Sequence, residues 1–185
     1  MKKILLALPL VVFAAACYLL YDDQVGLSKR QQSLLQQPPL PVGTVISRLV
    51  VRKGAREMDA YDAAGVLLKT YPIALGFNPV GHKQFEGDGK TPEGIYTIND
   101  RNPNSGYHKN LGVSYPNDAD RAYAAQHGKS AGGDIKIHGL RNGVGELGAN
   151  HLRRDWTHGC IAVTNAEIDE LFQYVKHNAQ IEILP

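Results

Sequence analysis

The sequence predicts a mainly β (α+β) domain, a β-sandwich or mixed sheets with one C-terminal helix packed on the sheet. Three observations carry that prediction. Nineteen glycines and ten prolines in 185 residues punctuate the chain at short intervals, as turns between short strands require. Between them lie β-branched and aromatic clusters such as TVISRLVVRK and IYTIND, which suit a pleated, half-buried surface. Only one stretch, near the C-terminus, has convincing helical spacing. A composition of 43% hydrophobic and 21% charged residues belongs to a folded protein rather than a disordered one.

The chain opens MKKILLALPLVVFAAACYLLYDD. Two lysines precede an apolar run from Ile4 to Tyr21, at the lower edge of what spans a bilayer. The flanking charges place its N-terminus in the cytoplasm. Residues 1–21 therefore read as a signal-anchor or signal peptide. FAAAC also offers small residues for cleavage and loosely resembles a lipoprotein box ending at Cys17. An uncleaved signal-anchor over residues 4–21 is the favoured reading, with cleavage and lipidation as alternatives; each exports the domain to the periplasm or the outer face of the cytoplasmic membrane, so the membrane enters only through this segment. Residues 22–43, rich in glutamine and proline, read as a flexible linker that is semi-extended at PPLP. SKRQQSLLQQ within it is at most a short amphipathic helix.

The folded domain is expected over residues 44–185. TVISRLVVRK and EMDAYDAAGVLLKTYPIAL read as strands, with DAAG closing a hairpin. GFNPVGHKQFEGDGKTPEG is a turn-rich loop and IYTIND a strand. The stretch from Arg101 to Gly133 mixes loop with a short helix around Asp118 to Gln126. DIKIHG is a strand ending at His138. Leu140 to Trp156 is polar and glycine-containing, without period. CIAV reads as a buried strand. Thr164 with Glu167 forms a capping box for the following helix, whose apolar face is Ile168, Leu171, Phe172 and Val175. AQIEILP ends the chain as a strand.

Charge excludes one class of function. Lys2 and Lys3 account for the net +2, and the rest of the chain balances 18 basic against 18 acidic residues. A nucleic-acid binder would show a basic domain or stripe. Cysteine usage is the more informative signal. Of the two cysteines, Cys17 lies in the leader, so the folded part holds one thiol, Cys160, and no internal disulfide. A lone buried cysteine is most often a small hydrophobe, and its neighbours must decide otherwise.

A nucleophilic cysteine needs a base or a positive field. His158 stands two residues before Cys160, on the same face if the stretch is extended. His138 closes a strand and is followed by Gly139, a placement that puts an imidazole at a sheet rim. Gly159 gives the backbone room, and amides around Cys160 could line an oxyanion site. His82, His108, His127 and His177 have no partner pattern. Asp88 and Thr91 read as turn-forming, and Trp156 as loop packing.

The combination His138-Gly139, then Thr157-His158-Gly159-Cys160, with GDGKTPEGIYTI upstream, resembles the L,D-transpeptidase catalytic domain family, also called the YkuD domain. The resemblance covers roughly Thr44 to Pro185. It implies a loop-rich active-site cleft, with Cys160 as nucleophile, His138 as general base and acid, and the Gly139 carbonyl orienting the imidazole. It gives Thr157 and His158 supporting places beside the nucleophile. The implied substrates are peptidoglycan stem peptides as donor and acceptor, with a wall-linked protein as a further partner and no cofactor or metal. Cys160 would form a thioester with the third stem residue and release the terminal D-alanine. An amine acceptor then gives a 3→3 cross-link or attached protein; water gives an L,D-carboxypeptidase or a releasing hydrolase.

Two departures stand out. Eighteen residues separate His138 from Thr157, which implies an enlarged loop whose His151, Arg153 and Arg154 could meet a substrate carboxylate. Position 162 is alanine where many members carry arginine, and GCIAVTNAEIDEL looks more like the branch that includes murein-protein releasing enzymes. Three rivals remain. A zinc hydrolase would use His138, His151, His158 and Cys160 as ligands, without a recognised spacing. A papain-like peptidase places its cysteine before its histidine, the reverse of this order. A non-catalytic wall-binding module would leave the cysteine vestigial.

Overall fold

The computed structural model describes residues 26–185; the apolar run from Ile4 to Tyr21 and Cys17 lie outside it. Eight strands, β1 (Ile46–Arg52), β2 (Glu57–Tyr61), β3 (Leu67–Pro72), β4 (Gly94–Ser105), β5 (His108–Val113), β6 (Lys136–His138), β7 (Ile161–Ala162) and β8 (Val175–Leu184), form one sheet. Its order is β3-β2-β1-β8-β4-β5-β6-β7. The central strand β8 runs parallel to β1 and antiparallel to β4. Its Ala179, Ile181 and Ile183 alternate inward with outward polar residues, the period-2 signature of a strand with one buried face.

The mixed α+β expectation holds: of the two arrangements expected, sandwich or mixed sheets, the strands make the mixed one, as a single curled sheet. Register shifts in β1, β2 and twice in β4 bend the strands, as bulges do. The curl brings the two edges together. Just beyond β3, Ala74 exchanges backbone hydrogen bonds of 2.9 and 2.8 Å with Ala162 of β7, and Gly76 bridges Thr157. This closure covers edge groups that would otherwise stand open, and it locks the segment carrying Cys160 against the far side of the sheet.

Among the described residues, three helices and a 3-10 stretch decorate the sheet: α1 (Lys29–Leu35), α2 (Asp118–Gln126), a kinked 3-10 segment at Gly145–Arg153, and α3 (Asn165–Tyr174). Helix α3 has the expected capping box, with Thr164 and Glu167 exchanging side-chain to backbone bonds. Ile168 and Leu171 are fully buried in the main core. Val175, read as part of the helix face, instead starts β8, with its side chain in the same core.

Two segments differ from expectation. The polar stretch read as loop after Arg101 is the distal half of a β4–β5 hairpin, turning at Ser105–His108. Its residues lack apolar alternation because β4 is exposed there, so only the backbone ladder marks it as strand. The stretch read as a flexible linker is docked from residue 26 onward. Ser28 and Gln31 form a capping box for α1, and Leu34 and Leu40 are buried. Glutamine amides supply the donors that the composition disguised: Gln37 bonds the Thr70 carbonyl at 2.8 Å and Gln31 the Leu152 carbonyl at 3.2 Å. Leu27 and Leu35 pack on a small cluster of Ala74, Leu152 and Ala162, with Trp156 at its margin. Helix α1 thus braces the 3-10 segment. Leu34→Ala is expected to cost about 2 kcal/mol, read as a lower urea midpoint; an unchanged midpoint would mean that the segment is undocked in solution.

Candidate active site

Cys160 sits at the last position of a tight turn feeding β7. The turn is pinned by Thr157, whose buried hydroxyl donates to the Cys160 carbonyl at 2.7 Å and accepts from the Gly159 amide at 3.1 Å. Gly159 has φ +137, and a Cβ there would lie 2.7 Å from the Lys90 carbonyl oxygen. No other residue fits that backbone against the GDGKTPEG loop. Gly159→Ala should therefore lower stability by about 2 kcal/mol or more, visible in urea unfolding; a neutral result would show that the turn can relax.

That loop is itself structural, as its turn residues suggested. Asp88 accepts from the Gln84, Phe85 and Lys90 amides and from the Lys83 ammonium, a partner set that holds its carboxyl below the usual range despite burial. Thr91 is fully buried and its hydroxyl accepts from the Gly76 amide. The loop forms a floor under the cysteine turn. From the other side Asp155 holds the chain entering the turn, accepting from Arg56 at 2.7 Å and from the Leu75 amide at 2.9 Å.

His138 ends β6, the neighbour of β7, with which it is in parallel register at Ala162. Its ring is 5% exposed and packs against Tyr107 at 4.6 Å and Trp156 at 5.8 Å between centroids. Nδ1 lies 2.7 Å from the Gly139 carbonyl oxygen. A carbonyl only accepts, so Nδ1 carries the proton and Nε2 presents a lone pair. Gly139 is held in turn by α3: a Cβ there would meet Asn165 Oδ1 at 2.6 Å, the atom that accepts from the Leu140 amide.

One cavity of about 530 Å³ is lined by Cys160, His138, His158 and Thr157, together with Tyr107, Asn110 and Trp156. The sequence singled out the first four. Tyr107 and Asn110 were missed, because they ride on the hairpin read as loop. Asn110 Oδ1 is buried without a donor among the described residues. Trp156 both packs the loop and walls the cavity. His158 is exposed and meets Phe77 edge-on at 5.5 Å. Because Gly159 breaks the extended path, His158 and Cys160 share the cavity without sharing a strand face.

The Thr157 hydroxyl and the Gly159 amide bond each other and shape the turn, so their place beside the nucleophile is a structural one. The Cys160 amide itself has no acceptor among the described residues and is the donor left for a developing oxyanion. Arg153 and Arg154 do not reach this cavity. They line an adjoining one of about 740 Å³ that shares the Tyr107 and Trp156 walls. Ala162 is fully buried between Ala74 and β6, so position 162 offers the cleft no side chain.

Electrostatics favour a neutral pair at rest. Burial pushes the Cys160 thiol up; the Lys136 amide near the sulfur opposes this and the Asp134 charge adds to it. The thiol donates to the Asp134 carbonyl at 3.7 Å. Burial lowers His138, only partly offset by its bond to Gly139. A thiol and a neutral imidazole with a free Nε2 can exchange a proton when a carbonyl arrives. Among the described residues no three His, Cys, Asp or Glu side chains are grouped to hold a metal. The zinc reading therefore has no ligand set here; His151 is engaged elsewhere, accepting from Trp156 Nε1 at 3.3 Å.

The sequence model of the L,D-transpeptidase catalytic domain family matches residues 46–183. YafK of Escherichia coli (strain K12) is 34% identical over 128 residues, which cover 66% of this chain and 44% of YafK. Among solved structures, the helical cell shape determining protein Pgp2 of Campylobacter jejuni superposes with a TM-score of 0.58 at 27% identity, covering 78% of this chain and 49% of that one. Bd1075 of Bdellovibrio bacteriovorus gives 0.51 at 26% identity, covering 80% and 51%. The chain thus spans about half the length of the relatives it matches.

Proposed function

This chain belongs to the L,D-transpeptidase catalytic domain family, and from that premise we propose that it moves the acyl group of a peptidoglycan stem peptide through a thioester on Cys160. One observation carries the reading: His138, its Nδ1 tied to the Gly139 carbonyl and its Nε2 free, shares a cavity with the sole thiol of the folded domain.

The steps follow from that pairing. His138 Nε2 takes the Sγ proton as the sulfur attacks the carbonyl of the third stem residue. Charge collects on the carbonyl oxygen, where the Cys160 amide is the available donor. The imidazolium returns its proton to the departing amine, so terminal D-alanine leaves and the thioester remains. An incoming amine, deprotonated by the same imidazole, would yield a 3→3 cross-link or an attached protein; water would yield a trimmed tripeptide or a released protein. The reaction site lies outside the cytoplasmic membrane, to which residues 4–21 deliver or hold the domain, and the process served is cell-wall remodelling, with cell shape as its outcome.

The test is mass spectrometry of products from the purified full chain and disaccharide-tetrapeptides, with a tripeptide acceptor and Cys160→Ala alongside. Dimers lacking one D-alanine, absent from the variant, establish transpeptidation. Tripeptide alone makes water the acceptor. No Cys160-dependent product leaves a wall-binding module.

A further inference from the structure

The chain has nine arginines, all within the described residues. Six have partners. Arg30, Arg48, Arg52, Arg56 and Arg121 make ion pairs, and Arg101 caps the end of α3 through the Phe172 and Val175 carbonyls. The three without a side-chain partner among the described residues are Arg141, Arg153 and Arg154, and all three line the single cavity of about 740 Å³ beside the cysteine site. Among the described residues, no acidic side chain lines it. Scattered surface arginines would be solvated and unremarkable; three unpaired ones facing one acid-free cavity form a cationic concavity, where walls of low polarity concentrate the field.

A second observation is independent of charge. Two buried side-chain polar atoms lack a partner among the described residues, Asn110 Oδ1 and His151 Nε2, and they belong to residues that line the cysteine cavity and the adjoining one respectively. His151 is 4% exposed. Its Nδ1 accepts from Trp156, so the neutral ring carries its proton on Nε2. That N–H is a buried donor with no acceptor, a costly arrangement unless a ligand completes it. The partnerless groups of both cavities are complementary to a peptide crossing from one to the other. Asn110 would accept its amide; the guanidiniums and His151 would donate to its anion.

We propose that this adjoining cavity is an anion-binding subsite that takes the free carboxylates of a peptide substrate through Arg141, Arg153 and Arg154. Guanidinium forks match carboxylates in a bidentate geometry, and Val144 and Leu147 give the substrate an apolar wall. That the peptide is a stem peptide rests on the acyl-transfer reading above; the preference for an anion rests on the cavity alone. The two cavities adjoin at Tyr107 and Trp156, which line both, so a peptide held by its carboxylates in one would be positioned beside Cys160 in the other.

Trp156 is the only tryptophan in the chain and therefore reports on this cleft. Full-length Cys160→Ala protein is titrated, by tryptophan fluorescence, with a disaccharide-tetrapeptide and with the same compound after its carboxylates are converted to amides. The amidated compound should bind at least about 10-fold more weakly. Arg141→Gln, Arg153→Gln and Arg154→Gln, made in that background, should each weaken the carboxylate compound by roughly 5–10-fold, and together bring it to the level of the amide. Equal binding of both compounds, or a triple variant that binds as its parent does, overturns the subsite. Failure of the acyl-transfer reading looks different. An intact Cys160 would then form no thioester, while the titration would still decide whether the cavity selects an anion.

Discussion

Cys160→Ala is expected to reduce tetrapeptide turnover by at least about 10⁴-fold while leaving the urea unfolding curve unchanged. The two halves of that expectation have separate physical grounds. The thiol makes one weak contact, to the Asp134 carbonyl at 3.7 Å, and is only partly buried, so its loss removes little packing. The turn around it is held by backbone and by Thr157, not by the sulfur. Chemistry, by contrast, has no substitute nucleophile, because the folded domain has no second cysteine. Cys160→Ser should also fall by about 10³-fold or more, since a neutral imidazole activates a hydroxyl far less readily than a thiol. Full turnover by the alanine variant would remove the thioester mechanism, and an accompanying stability loss would place the thiol in the core.

The parts of this site that were legible in the sequence are those packed into short, contiguous signals. His158-Gly159-Cys160 and His138-Gly139 stand out because glycine beside a titratable group marks a constrained backbone, and the structure shows that constraint as a φ of +137 and a 2.7 Å carbonyl contact. The helix after Cys160 was legible through Thr164 and Glu167. What stayed hidden was assembled by tertiary pairing. Tyr107 and Asn110 reach the cavity on a hairpin whose side chains are polar and exposed, so no period announced it. The short helix read in SKRQQSLLQQ is α1, but its docking was concealed by glutamines, which resemble a tether in composition yet serve as donors to the Thr70 and Leu152 carbonyls. The curl that brings Ala74 to Ala162 joins residues 88 positions apart, a contact that local pattern cannot foresee. Arg141 was missed for the same reason: its company with Arg153 and Arg154 exists only once the 3-10 segment folds back.

Replacing His138 should cost nearly as much as replacing the cysteine, about 10³-fold or more for His138→Ala, and the pH dependence of the wild type says why. The reacting pair needs a neutral imidazole to accept the thiol proton and one exchangeable proton to return to the leaving amine. Burial lowers His138 below the ordinary 6.5, so kcat/KM should rise with pH through an inflection under 6.5 and then stay flat across neutrality. Burial raises Cys160 above the ordinary 9.0; the fall on the basic side, where the pair has lost its proton, should therefore begin only beyond that value. The profile is a broad plateau rather than a narrow bell. Iodoacetamide tests the same assignment without substrate, because alkylation follows the thiolate. Its rate should climb above pH 9 and stay low near pH 6. In His138→Ala the residual turnover should lose the acidic inflection, since no imidazole remains to be protonated at that position. An alkylation inflection well below pH 7 in the wild type would reverse the picture. The resting state would then be a thiolate–imidazolium ion pair, and the buried surroundings of Cys160 and His138 would have to be stabilising charge rather than opposing it.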